Sequence, residues 1–129
     1  MENKILEHLP PIHHLLGGHN IEWDTEKREI AVSYTALESL TNPRGSIEGG
    51  MICAMLDDAM GILAALNQTA KPAATINLSM DFFRPCEVGE VQAKAWFVKE
   101  GKTILSIESE AWQHNKLVAK TSASFIILS

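Results

Sequence analysis

An acidic pair inside an apolar segment is the feature of this sequence that most strongly suggests chemistry. Asp57 and Asp58 interrupt a run of apolar and small residues that begins at Gly49-Gly50 and is predicted to form one helix ending near Asn67. Carboxylates are rarely buried without a partner or a function. We therefore expect at least one of the two acids to meet a ligand or a partner.

A helical wheel separates the two acids. Residues three, four and seven positions from Asp57 share its face, and all but one are small: Gly50, Cys53, Ala54, Met60, Gly61 and Ala64. The opposite face is a broad apolar stripe suited to packing on a sheet, formed by Ile52, Met55, Ala59, Ile62, Leu63 and Leu66. Asp57 is expected to look out of a small-residue groove, and Asp58 is the weaker candidate. The alternative is a satisfied structural acid among tightly packed small residues.

Length and composition limit the classes of protein. With 129 residues, 46% of them hydrophobic, the chain is expected to form one domain over residues 1–129, with a helical or turn segment at 1–20. The net charge of −5 and the absence of a basic stripe argue against a nucleic-acid partner. Charged residues in the first eleven positions argue against a signal peptide, and the acidic pair argues against a membrane span. Cys53 and Cys86 suggest no disulfide framework, so a cytoplasmic location is expected.

Histidines concentrate near the N-terminus. His8, His13, His14 and His19 raise the possibility of a metal site, but no cysteine and few well-spaced carboxylates accompany them. We expect instead a short amphipathic helix that caps the core, followed by a turn.

Alternation of apolar and polar residues predicts the strands. One strand, with Ile30, Val32 and Tyr34 on one face, precedes the helix. Four more follow it, over Thr75–Phe83, Val91–Phe97, Thr103–Gln113 and Leu117–Leu128. Four successive strands predict an antiparallel meander and an α+β class. One long helix against a curved antiparallel sheet of about five to six strands is the hotdog fold, in which an uncovered sheet edge favours dimerisation.

The predicted helix, its entry loop and the strands that follow resemble the acyl-CoA thioesterases of the hotdog superfamily. Within that superfamily, the resemblance is to the phenylacetate-degradation type. That family's signature is an Asn, a Gly, a His-Gly-Gly and an Asp on the helix. The matching residues are Asn42, Gly45, Glu48-Gly49-Gly50 and Asp57. The strand from Thr75 to Pro85 and the hairpin Gly101-Lys102-Thr103 also match, so the likeness runs from about Ile30 to Leu128. Glu48 departs from the family's His.

The resemblance implies hydrolysis of an acyl-CoA to a free acid and CoA, without a metal or organic cofactor. It implies that the backbone N–H groups of Gly49 and Gly50, assisted by the Asn42 side chain, stabilise the oxyanion. Asp57 would act as general base or nucleophile across a homodimer, itself assembled into a tetramer, and Thr75 would help hold the water. The nucleotide end of CoA would lie near Phe82 and the hairpin Gly101-Lys102-Thr103, where Lys102 meets a phosphate.

Because Glu48 replaces the family's His, a second function has to be considered. An acid close to a developing oxyanion is unfavourable, but the wheel turns Glu48 away from Asp57, and an acid in the first turn suits the helix dipole. The second function is that of a protein that binds an acyl-CoA or acyl carrier without catalysis. A hydratase or dehydratase would need a His paired with an acid, and neither the helix nor its entry loop contains a His. The preferred acyl group stays open.

Overall fold

The computed structural model describes residues 2–129, with side chains from Lys4 onward. Two short helices, α1 (Glu2–Glu7) and α2 (Pro11–Leu15), precede a long helix, α3 (Gly49–Ala65), with a 3-10 turn at Glu38–Leu40 between them. The strands are β1 (Gly18–Asp24), β2 (Glu29–Ala36), β3 (Ala73–Phe82), β4 (Gly89–Glu100), β5 (Ile104–Gln113) and β6 (Lys116–Ile127). The predicted domain begins at Met1, which lies outside the described residues.

The six strands form one antiparallel sheet in the order β1-β2-β4-β5-β6-β3. The long helix α3 packs against this curved sheet, so the predicted α+β class and hotdog fold are confirmed. Two residues with positive φ, His114 and Asn115, make the tight turn between β5 and β6. The sheet has two edges, β1 and β3.

The sheet corrects two predictions. The predicted four-strand meander is wrong, because β3 pairs with β6 rather than with β4. The corresponding edge of β4 is already taken by β2, in a register that sets Ile30 opposite Ala95. The strand β1 was not predicted, since a bulge between His19 and Glu22 interrupts its alternation. The helical N-terminal segment is therefore shorter than residues 1–20.

The apolar stripe of α3 forms the centre of the core, as the wheel predicted. All six residues of the stripe are buried: Ile52, Met55, Ala59, Ile62, Leu63 and Leu66. Met60 and Ala64 are also buried, which corrects their assignment to the open face of Asp57. The uncovered face of α3 is thus narrower and runs along Gly50, Cys53, Ala54, Asp57 and Gly61.

Hydrogen bonds hold α3 at both ends. Before its first turn, the Ile47 N–H donates to the Cys86 carbonyl at 2.8 Å. After its last turn, Arg28 Nη2 donates to the Leu66 carbonyl at 3.1 Å and also pairs with Glu100 at 2.8 Å. These contacts fix the position of α3, and therefore of its acidic pair, relative to the sheet.

Candidate active site

Asp57 lies at the centre of the first part of the site. Its half-buried side chain accepts a hydrogen bond from Thr75, whose Oγ1 lies 3.0 Å from Asp57 Oδ1. Thr75 belongs to the edge strand β3 and directly precedes a bulge that shifts the register between Thr75 and Asn77. Both side chains border a cavity of about 430 Å³, which we call the Asp57 cavity. Asp57 Oδ1 thus accepts a hydrogen bond from the Thr75 hydroxyl. The second carboxylate oxygen, Oδ2, has no partner among the hydrogen bonds of the described residues.

Asp58 has a different environment. Its Oδ2 accepts hydrogen bonds from the Tyr34 hydroxyl and from His13 Nδ1, each at 2.7 Å. The three side chains come from α3, β2 and α2, and His13 is almost fully buried. Burial, and then the Asp58 carboxylate, raise the pKa of Tyr34 far above its ordinary value. Sequence reasoning missed this cluster, because separations of 24 and 45 residues carry no local signal.

The N-terminus of α3 borders a second cavity, of about 480 Å³, which we call the Gly49 cavity. Asn42, Glu48, Gly49 and Phe82 line it together. A Cβ at Gly49 would lie 3.0 Å from the Phe82 ring, so a side chain there would displace that ring. A Cβ at Gly50 would meet nothing within 4 Å, so the space beside this residue is open. Helix N-termini bind anions through their free N–H groups.

Asn42 is largely engaged within its own loop. Its Oδ1 accepts from the Arg44 backbone N–H at 2.9 Å, and its Nδ2 donates to Ser46 Oγ at 3.1 Å. The Gly45 N–H donates to the Asn42 carbonyl, and Gly45 has a φ of 84°, which explains the glycine there. The amide carries a second N–H that can reach a ligand.

Glu48 is the N-cap residue of α3 and not part of its first turn, which corrects the expected placement. Its backbone is extended, and its side chain makes no capping hydrogen bond. The Glu48 N–H donates to the Leu40 carbonyl at 2.9 Å, and the exposed side chain borders the Gly49 cavity. A negative charge therefore lies beside the free N–H groups.

The hairpin of Gly101, Lys102 and Thr103 lies apart from both cavities. A Cβ at Gly101 would lie 2.5 Å from the Ile104 carbonyl oxygen, so glycine is required there for packing. Lys102 is exposed and borders neither the Gly49 cavity nor the Asp57 cavity. Within one chain, the structure does not bring this part of the predicted site to the rest.

The two cavities are separated along α3. Gly49 and Asp57 are eight residues apart, which is about 12 Å at 1.5 Å per residue. A reacting carbonyl must lie about 3 Å from both its oxyanion donors and its base or nucleophile. Along the helix axis, the backbone of Gly49 and that of Asp57 are therefore farther apart than one carbonyl spans.

Other titratable groups near the site are poorly suited to chemistry. Burial, and then the charge of Asp57, raise the pKa of the Cys53 thiol, which disfavours the nucleophilic thiolate. Burial raises the pKa of Cys86 to about 11. No group of three metal-ligating side chains occurs in the described part of the chain. None of the helices described is long and apolar enough to cross a membrane.

Comparison with known protein families identifies the family to which this chain belongs. Residues 45–120 match the model of the thioesterase superfamily, and they include the N-terminus of α3, Asp57 and Thr75. The chain belongs to the thioesterase superfamily.

Individual relatives agree with this assignment. A phenylacetic acid degradation-related protein of Ralstonia eutropha JMP134 has a structure that superposes with a TM-score of 0.91, at 30% identity over 98% of each chain. An uncharacterized acyl-CoA thioester hydrolase of Zymomonas mobilis is 36% identical over 66% of this chain and 58% of its own length. The acyl-CoA thioester hydrolase YciA of Salmonella typhimurium is 32% identical over 69% of this chain and 68% of its own length. The match thus spans less than two thirds of the Zymomonas relative.

Proposed function

We propose that this protein hydrolyses acyl-CoA thioesters to a free acid and CoA. The observation that carries the proposal is the half-buried Asp57 carboxylate, held by Thr75 at the edge of a cavity beside the largely apolar helix α3. Family membership and the names of the relatives in Zymomonas and Salmonella support the same reaction.

The chemistry proceeds through a tetrahedral intermediate. Asp57 takes a proton from water, the resulting hydroxide attacks the thioester carbonyl, and the C–S bond breaks as CoA leaves as a thiolate that is then protonated. Thr75 Oγ1 donates to Asp57 Oδ1, and its lone pairs can accept a hydrogen bond from the same water. The backbone N–H groups of Gly49 and Gly50 and the second N–H of Asn42 stabilise the oxyanion.

Asp57 can instead attack the carbonyl directly and expel CoA as a thiolate, which forms an anhydride that water opens by attack at the Asp57 carbonyl carbon. A single turnover in water enriched in heavy oxygen separates the two routes. General-base catalysis puts the heavy atom into the acid product at once. The nucleophilic route puts an Asp57 oxygen into the product of the first turnover.

The reaction requires two copies of the chain. The separation of about 12 Å along α3 supports a site in which Gly49 and Gly50 of one subunit face Asp57 of another. The edge strand β3, which carries Thr75, has an unpaired side suited to an edge-to-edge dimer. Two such dimers form a tetramer.

The remaining residues of the predicted site are assigned to the binding of CoA. Phe82 is 52% exposed beside Gly49 and offers a face for the pantetheine or nucleotide end. Gly101, Lys102 and Thr103 reach the nucleotide across the dimer, where Lys102 meets a phosphate. The protein acts as a single domain, without a metal or organic cofactor and without nucleic acid or membrane partners, in the cytoplasm.

A second candidate function is binding of an acyl-CoA or acyl carrier without hydrolysis. Glu48 favours it, because its carboxylate borders the Gly49 cavity, where negative charge opposes oxyanion formation. A thiol-release assay with a panel of acyl-CoAs decides between the two. Hydrolysis requires turnover that is lost in Asp57→Asn. Acyl-CoA binding with a rate of thiol release equal in the two proteins would favour the binding function.

A further inference from the structure

The two N-terminal helices form a wall of the Asp57 cavity. Apolar side chains from this segment and from the core surround the space next to the carboxylate: Ile5, Leu9, Ile12, Ile62 and Phe125. Gly61 and Ala65 leave room along α3. The cavity volume of about 430 Å³ lies toward the small end of ligand pockets. It therefore suits an acyl group of medium length more than a long chain.

A buried polar contact anchors this wall. His13 is the one fully buried residue of α2, and its Nδ1 lies 2.7 Å from Asp58 Oδ2. The Tyr34 hydroxyl donates to the same oxygen, so that oxygen acts as an acceptor and His13 Nδ1 donates as well. The neighbours Asp57 and Asp58 thus connect α3 to two parts of the cavity lining, Asp57 to Thr75 and Asp58 to the N-terminal wall.

The Gly17-Gly18 pair shapes the seat of His13. A Cβ at Gly18 would lie 2.2 Å from the His13 ring, so only glycine leaves space for that ring. Gly17 has a φ of 75°, and its carbonyl accepts from the Thr35 N–H at 3.0 Å. The segment is therefore attached both to β2 and to α3, and its position beside the Asp57 cavity is fixed.

Charge restricts what the cavity can hold. Asp57 and Asp58 both border it together with His8, whose exposed imidazole is the one basic side chain in the described lining, and no lysine or arginine borders it. A second carboxylate on the acyl group would meet like charge without a lysine or arginine to pair with it. The lining therefore suits an uncharged, apolar acyl group.

We infer that the Asp57 cavity is the acyl pocket, that Ile12 is one of its specificity-determining residues, and that His13 is a positioning residue which holds the wall through Asp58. The inference rests on the proposed function. The substrate class is an acyl-CoA with an uncharged apolar acyl group of medium length.

The test measures kcat/KM for acetyl-, hexanoyl- and succinyl-CoA. The wild type is expected to prefer hexanoyl-CoA to both others. Ile12→Ala should lower the hexanoyl-to-acetyl ratio by about fivefold or more, because the hexanoyl chain loses apolar contact that the acetyl group never makes. Leu15→Ala is the matched control: it lies on the same short helix, is 72% exposed and does not border the cavity. Its ratio should equal the wild-type ratio.

The role of His13 is tested by loss and rescue. His13→Leu removes the donor and should raise KM for hexanoyl-CoA by about fivefold or more, with little change for acetyl-CoA. His13→Asn places an amide N–H close to the position of Nδ1 and should restore much of the selectivity. Equal losses for both substrates, without rescue, would show only a structural role. If His13→Leu does not fold, the Ile12 and Leu15 pair still decides the location of the pocket.

The measurements separate a wrong assignment of the acyl pocket from a wrong assignment of thioester hydrolysis. An active wild type whose acyl ratio is unchanged by Ile12→Ala would overturn the pocket and leave hydrolysis intact. If the wild type hydrolyses none of the three thioesters, calorimetric Kd values for the same compounds take the place of kcat/KM. The inference then requires that Ile12→Ala weaken hexanoyl-CoA binding selectively, and an unchanged ratio of Kd values would overturn it.

Discussion

Asp57 and Asp58 are consecutive on α3 and border the same cavity, yet their carboxylates bind different partners. Asp57 Oδ1 accepts from the exposed Thr75 at a cavity edge, whereas Asp58 Oδ2 accepts from the buried Tyr34 and His13. Adjacent helical residues differ by about 100° in direction, so one acid can face a ligand while the other joins the core. This difference predicts separable effects of mutation.

Asp57→Asn is expected to lower kcat by about 100-fold or more, since the amide cannot act as a base, while thermal stability and acyl-CoA binding are retained. Asp58→Asn is the matched comparison. It should cost on the order of 1–3 kcal/mol of unfolding free energy by disturbing two buried hydrogen bonds, and should affect turnover far less. Thiol release and urea denaturation of both variants measure this. Wild-type turnover in Asp57→Asn would remove Asp57 from the mechanism.

Because Tyr34 is buried beside Asp58, the free energy of unfolding should fall at alkaline pH. Burial and the Asp58 charge raise its folded-state pKa, so its contribution is fully present below the unfolded pKa of about 10 and is lost as pH rises above that value. Tyr34→Phe should cost about 1 kcal/mol at neutral pH. The difference from wild type should shrink above about pH 10.

Urea denaturation from neutral pH to about pH 11 tests this dependence. Tyr34 is the only tyrosine, so ultraviolet absorption of the phenolate reports its ionisation alone. A stability difference that stayed constant across this range, or ionisation of Tyr34 near pH 10 in the folded protein, would contradict the assignment.

Glu48→Gln should raise kcat/KM by ~3–10-fold, because it removes a negative charge beside the oxyanion donors while keeping the size of the side chain. Glu38→Gln is the control, since Glu38 is also exposed but borders neither cavity. Its kinetics should match the wild type. Unchanged turnover in Glu48→Gln together with a loss of stability would mean that Glu48 serves the helix dipole instead.

The fold was largely predictable from local patterns. The apolar stripe of α3 and the alternation in β4, with Val91, Ala93 and Ala95 buried, gave the class and the main elements. The position of β3 was not predictable from alternation, because strand pairing depends on which edges earlier strands have occupied. The helical wheel assigned the buried Met60 and Ala64 to the open face, because a wheel gives only directions around one helix and omits the elements packed against it.

The site was predictable only in part. Asp57, Thr75 and the glycines at the start of α3 could be recognised from spacing and resemblance, and the structure brings Asp57 and Thr75 together. The environment of Asp58 could not be anticipated, because its partners His13 and Tyr34 are distant in sequence and reach it through the packing of α2 and β2 on α3. The role of the Gly17-Gly18 pair became visible only with the His13 ring in place.

We propose that one hydrolytic site combines the α3 N-terminus of one chain with Asp57 of another. Subunit complementation can test this arrangement. Asp57→Asn and Gly50→Val, each expected to be inactive alone, are co-expressed with different tags, and the heterodimer is isolated. Gly50→Val is expected to fold, because a Cβ at that position meets nothing within 4 Å.

The thiol-release rate of that heterodimer is the deciding measurement. If the sites are shared, one of the two sites in the heterodimer carries neither defect, so we expect about half of the wild-type rate per dimer. Sites contained within single chains would carry one defect each. A purified heterodimer as inactive as its two parents would show that the sites are not shared between chains.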